Sequence, residues 1–481
     1  MAMNRQVRRR RLLAISITCG LLGVSLAAPA AVDQNKKKRA ATTTHEQQLE
    51  ARVNQLEQEL AELKAMIQEQ KQATVQASQT AQAAQATAEA TQTKVAALPP
   101  PAKSQFSTAP GVSVAFHGLL SATAFGENRR FGFGNGQNAE YPIAGKSGSL
   151  SGIDVRNTRF WFDMTGPQLG GGWSGGGHLE MDFFGGFNGT GPYARQQTTP
   201  RLRQAYIDLT NPENGSVVRI GQQWNLLTPL DNLPVSLAHI AFPLGFSTGI
   251  LGWRYAGAVW MQDLNRGGDG PKWRLDVGAF DGNWSGPDNN TDFLSAGNAD
   301  FRPQIEARLH VQGKGWLAYA VGHYATVDLR GTQGTAPTPI RDKLTSTAFE
   351  LGGQWKPGPW TLKGQAYTGK ALGQTFGALS QFGDIKEKGG FLQVSYNFTP
   401  VWSLNATAAV VKPNKDDVIR WLGYGSNGFV RNRQGALSLL YDATSFAFGL
   451  EVMHVKLDTN KGAGEETTDG NQINLSALYR F

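Results

Sequence analysis

The chain has a single cysteine, Cys19, and it lies inside an N-terminal stretch with the marks of an export signal. A chain cut near Ala30 would hold no thiol, which is compatible with an oxidising compartment but does not require one. Charge is scarce as well, at 17% of residues. No run of 18 or more apolar residues follows the first 30, which argues against a helical membrane protein. The seven histidines show no H-x-x-x-H or other ligand spacing, so neither a metal site nor a cofactor is expected. Removing five signal arginines takes the net charge from +8 to +3, which disfavours a nucleic-acid binder with a large basic face.

The N-terminus is better supplied. Arg5 and the run at 8–11 precede the apolar core "LLAISITCGLLGVSLAA", and "APA" offers small residues for cleavage, so residues 1–30 read as a signal peptide. A basic linker, 31–44, carries "KKKR" at 36–39. From 45 to 98 the spacing is that of a coiled coil. Leu49, Val53, Leu56, Leu60, Leu63 and Ile67 mark its a/d seam, which thins into an Ala/Gln/Thr tract. Residues 99–110 begin with "PPP", which ends any helix.

From about 111 to 481 the period changes to two. "FRPQIEARLHV" sets Ile305, Ala307, Leu309 and Val311 against Gln304, Glu306, Arg308 and His310. The final segment, "NQINLSALYRF", repeats this and stops on Phe481. Aromatic pairs flank short turns, as Trp355 and Trp360 do, or Phe398 and Trp402. Such pairs fit the interfacial girdle of an outer-membrane barrel better than a soluble sandwich. The expectation is an all-β transmembrane barrel of about 16 antiparallel strands, including 151–164 and 250–261, with seven turns and eight longer loops.

A barrel of this size leaves a water-filled lumen. The apolar loop 224–249, with Trp224, Asp231 and His239, is expected to fold inward and narrow it. By alternation Arg159, Arg219, Arg254, Arg274, Arg302, Arg308 and Arg433 face the lumen, where arginine would attract small anions. Glu180, Asp182, Asp276, Glu306 and Glu350 share that face and could simply pair with them. Arg203 shares the parity of Ala205, Ile207 and Leu209, which points it outward. "GFSTG" (245–249) matches G-x-S-x-G, but a strand pattern follows it rather than a helix, so no catalytic residue is expected.

The segments "RNTRFWFDM", "LEMDF", "RLRQAYIDL" and "VVRIGQQWNLL" resemble the early strands of the DcaP-like outer-membrane porins. The resemblance implies a homotrimer in the outer membrane, a periplasmic coiled coil and passage of small anions such as dicarboxylates. Phosphate-selective porins share the layout and stand as the alternative, although they favour basic clusters at the constriction and 224–250 contains no Lys or Arg. A second alternative is an envelope tether whose rod contacts peptidoglycan.

Overall fold

Alternation dictates the architecture. In the computed structural model, outward apolar residues and inward polar or small ones close a sheet into a cylinder. The structure describes 105–481 except 133–139, 146–147, 187–197, 267–268, 282–301, 329–340 and 342, plus helical positions between 50 and 71. Within that helix, seam residues Val53, Leu56 and Leu60 are exposed. The signal peptide, the basic linker, the rest of the coiled coil and the proline break at 99–101 lie outside the described residues, whereas the end of the expected 99–110 linker, Gln105–Ala109, is a strand.

The strand β1 (Gln105–Ala109) folds back as a hairpin on β2 (Val112–Glu127). The strands β3 (Leu150–Asp154) and β4 (Arg159–Gly170) both pair with β2, as two halves of one stave broken at 155–158. A meander follows through β5 (Trp173–Asp182), β6 (Arg201–Asn211), β7 (Ser216–Trp224), β8 (Arg254–Asp263) and β9 (Lys272–Asp281). It continues through β10 (Pro303–Gly313), β11 (Trp316–Asp328), β12 (Lys343–Trp355), β13 (Trp360–Lys370) and β14 (Lys386–Asn397). The last four are β15 (Trp402–Pro413), β16 (Phe429–Ala443), β17 (Phe446–Asn460) and β18 (Glu465–Arg480).

The strand β18 closes the cylinder on β2, from Arg480↔Leu119 to Gln472↔Glu127. With β3 and β4 counted as one stave and β1 as an appendage, the wall is a closed 16-strand barrel. The appendage has a physical reason. Phe481 exchanges backbone hydrogen bonds with Gly118, and β18 reaches no lower. The hairpin of β1 pairs with Ser113, Val114 and Ala115, so it covers an edge that would otherwise be open.

Short turns lie at one rim and the long connections at the other. Aromatics ring the short-turn rim in contact with one another. Trp360 meets Tyr396, Trp402 meets Tyr441, and Tyr479 bridges Phe446 and Phe481. Above them the outward face exposes Phe349, Leu351, Leu392, Leu450 and Leu475. An apolar belt of this extent suits lipid, not water.

Three local features depart from expectation. The stave expected at 151–164 is interrupted. The strand expected from 250 begins at Arg254, because 250–253 belong to the inward loop. A short helix, Lys415–Arg420, sits in the connection after β15; Asn414 caps it by accepting from Asp417 N, and Asp416 and Asp417 occupy its first turn.

Candidate pore constriction

The connection 225–253 runs inside the barrel, and its composition explains why. Leu227, Leu244, Ile250 and Leu251 are almost fully buried, which a solvated rim loop could not achieve. Sharp bends let the chain pack there. Gly252 has φ +130°, and a Cβ on it would overlap the Thr228 hydroxyl.

Polar wall residues then hold the loop at many points. Glu306 on β10 accepts from Leu226 N (2.6 Å) and Asn225 Nδ2 (3.0 Å). Asn232 donates to the Gly364 carbonyl on β13 (2.8 Å). Gln393 on β14 grips both backbone groups of Val235, at 2.8 and 3.1 Å. Glu451 on β17 accepts from Ser236 Oγ at 2.8 Å and lies 2.7 Å from His239 Nδ1. On β16, Gln434 accepts from Gly245 N (2.6 Å) and Asn432 donates to Thr248 Oγ1 (2.9 Å). Asn157, in the break between β3 and β4, binds Ala238 O and Ala241 N. That break therefore has a use: it frees a side chain to tether the loop.

The anchors place the loop against β10–β17 and cover that wall's acids. Glu306 and Glu350 have 0% exposure; Glu306 is satisfied by His323 (2.9 Å) and the loop, while Glu350 accepts at one oxygen from Gln365 (3.2 Å), which also donates to Gly249 O. This corrects the expectation that both line the pore: an inward loop stands between them and the water. Asp231 remains exposed, in a one-turn 3-10 segment. His239 is buried on Glu451, and Trp224 ends β7 with its ring 4.7 Å from the Arg254 guanidinium.

The opposite wall, β4–β10, keeps some of its arginines open. Arg219 and Arg274 retain 27% and 37% side-chain exposure, while Asp276 beneath retains 1%. Arg274 and Arg308 both hold Asp276, at 2.6 and 2.9 Å. Arg219 binds Asp208 at 2.8 Å and stacks on Tyr206. Higher up, Arg159, Arg201 and Arg203 surround Glu180 and Asp182. Arg254 is enclosed between Trp224 and Trp253 and does not front the water. Arg302 precedes β10 on the inward parity.

Two arginines lie on the face opposite to the one expected. Arg203 points inward, because a β-bulge between Glu180 and Met181 shifts the register and turns Arg203 and Gln204 to the same side. Arg433 points outward. It stands opposite Val410, which is 43% exposed on the lipid face, and binds Asp458 at 2.9 Å. The outward face of β16 turns polar above Leu437, where the strand rises beyond the apolar belt.

The first long connection reaches the loop as well. Glu140 is 2% exposed, beside Ser247, and burial pushes its carboxyl up to about 8. Ser247 itself is buried, with φ +54°, in a loop whose backbone turns back at Gly249 and Ile250 onto the Gly245 carbonyl. This is not the strand–turn–helix setting that a nucleophile of the G-x-S-x-G type requires.

No family model and no curated protein matches the chain. Among solved structures it is similar to the outer membrane channel DcaP of Acinetobacter baumannii, with TM-score 0.57 and 16% identity, over 78% of this chain and 99% of that one. OmpT of Vibrio cholerae in its trimer form aligns with TM-score 0.49 and 13% identity, over 77% of this chain and 100% of that one. OmpF of Salmonella typhi aligns with TM-score 0.47 and 12% identity, over 78% and 100%. The barrel of this chain thus has the fold of the DcaP outer membrane channel.

Proposed function

We propose that the protein is an outer-membrane porin that passes small solutes passively and favours anions, the dicarboxylate type first among them. One observation carries the reading: the constriction loop covers the acids of β10–β17 and leaves Arg219 on β7 and Arg274 on β9 facing water. A census of lumen charges would come out near balance. Accessibility tilts it, because a carboxylate buried and hydrogen-bonded behind the loop meets no passing ion, whereas an open guanidinium binds a carboxylate through two parallel bonds. The lack of any Lys or Arg in 224–250 favours this over a phosphate-selective site. The assembly is a homotrimer, and the exposed seam at Val53, Leu56 and Leu60 supports self-association through a periplasmic coiled coil.

Conductance of the purified protein in a planar bilayer under a KCl gradient tests this. Steps in threes with a reversal potential on the chloride side are expected. Cation preference would overturn the arginine argument. Absence of conductance would overturn the porin and favour the envelope tether.

A further inference from the structure

The outward face of β13–β17 carries a second set of cations, which a channel leaves unused. Lys370 stands directly opposite Lys386, Lys388 opposite Lys412, and Arg433 opposite Lys456. Like charges directly across a ladder destabilise it, so three such pairs on five consecutive strands call for counter-charge. The chain supplies part of it. Asp384 lies 3.7 Å from Lys370, and Asp458 binds Arg431 and Arg433 at 2.6 and 2.9 Å. Lys456 has Asp469 across the ladder on its other side. Among the described residues, however, Lys386, Lys388, Lys412 and Lys456 make no ion pair.

These cations also share a level. Lys388 lies eight residues along β14 from Tyr396, Arg433 eight along β16 from Tyr441, and Lys456 eight along β17 from Phe448. At about 3.4 Å per residue and a tilt of about 40°, the row stands roughly 20 Å above the aromatic rim, near the upper edge of an apolar belt about 25 Å tall. Just beneath it a groove of about 890 Å³ runs across the outer wall from β15 to β3, lined by Ala406, Gly435, Leu437, Val452, Ile473 and Gly126, with His454 at its upper edge.

We propose that this face binds a phosphorylated glycolipid of the outer leaflet, its phosphates on the Lys388, Lys412, Arg433 and Lys456 row and an acyl chain in the groove below. The inference rests on the membrane placement proposed above. A free anion would have no use for the apolar groove. A neutral lipid would leave the opposed cations unrelieved.

The test uses the full-length protein in non-ionic detergent, with diphosphorylated lipid A, phosphatidylglycerol or inorganic phosphate added, and native mass spectrometry as the readout. Lipid A is expected to stay bound. The quadruple variant Lys388→Gln, Lys412→Gln, Arg433→Gln and Lys456→Gln should weaken it roughly tenfold or more, with conductance unchanged because none of the four faces the lumen. Gly435→Leu fills the groove at a position where a Cβ meets nothing within 4 Å, and should weaken lipid A while the cations remain. Equal retention by the quadruple variant, displacement by inorganic phosphate, or equal binding of phosphatidylglycerol would overturn the proposal. So would a Gly435→Leu variant that loses its oligomeric state and keeps its lipid, since the groove would then be a contact between copies. Lipid A binding without conductance would instead overturn the porin reading alone.

Discussion

Arg308 and Asp276 form a pair whose two single substitutions should move selectivity in opposite directions. Arg308→Gln removes one positive charge from the open wall and leaves Asp276 held by Arg274 at 2.6 Å. Asp276→Asn removes the shared counter-charge and leaves both guanidinium groups unneutralised. An ion passing about 10 Å from a unit charge in water feels roughly 0.4 kcal/mol, about a twofold change in local concentration. Anions and cations respond oppositely, so the chloride-to-potassium permeability ratio should change about fourfold. At about 0.1 M salt the screening length is about 10 Å, which cuts the effect to about 1.7-fold. The assay is therefore the reversal potential at low salt, repeated near 1 M. Arg308→Gln should lower the ratio, Asp276→Asn should raise it, and both effects should fade at high salt. Two variants that shift the same way, or a shift that survives 1 M salt, would mean that pore width rather than wall charge sets the preference.

Three other substitutions probe the loop. Glu451→Ala deprives Ser236 and His239 of their acceptor at about 1–3 kcal/mol each; single-channel conductance should rise, and an unchanged value would show that the loop does not constrict. Gly252→Ala forces a side chain into φ +130° and against Thr228, with strain of about 1–3 kcal/mol; a lower thermal unfolding midpoint is expected, and an unchanged one refutes the packing. Glu140→Gln concerns pH: burial raises this carboxyl from 4.5 to about 8, so the folded state keeps a proton that the unfolded chain gives up. Its contribution is greatest below 4.5, declines as pH rises, and levels off above about 8. The variant should flatten the fall in unfolding midpoint between about pH 5 and 9, and parallel curves for both proteins would sink the assignment.

The wall was legible because period-two alternation is the direct image of a sheet with lipid on one side and water on the other. Its strand ends were not. The residues of β17 and β18 continue to Asn460 and Glu465 through a stretch of charged and polar side chains, since strands that rise above the membrane have no apolar face to announce them. Loop 225–253 betrayed itself through leucines and phenylalanines that no solvated loop would carry, but its anchors did not. Asn157, Gln393 and Gln434 are ordinary polar residues in sequence, and only the closed barrel brings Asn157 to Ala241, 84 positions away.

Alternation reports which face a residue occupies, and neither its height on the wall nor what stands in front of it. Arg308, between Ala307 and Leu309, meets the pore, whereas Arg433, between the inward Asn432 and Gln434, meets the membrane's outer edge. The bulge at Glu180 adds a further failure, because a single extra residue turns Arg203 from lipid to lumen, where it sits between Glu180 and Asp182. Glu306 supplies the converse case: its face was right, and its role was still misread, since the loop it anchors is what removes it from the pore. The same side chain thus builds the constriction and withdraws its own charge from it. If the proposed anion preference follows from which charges the loop hides, any variant that detaches the loop should lose it together with its narrowness, as the acids of β10–β17 come back into contact with water.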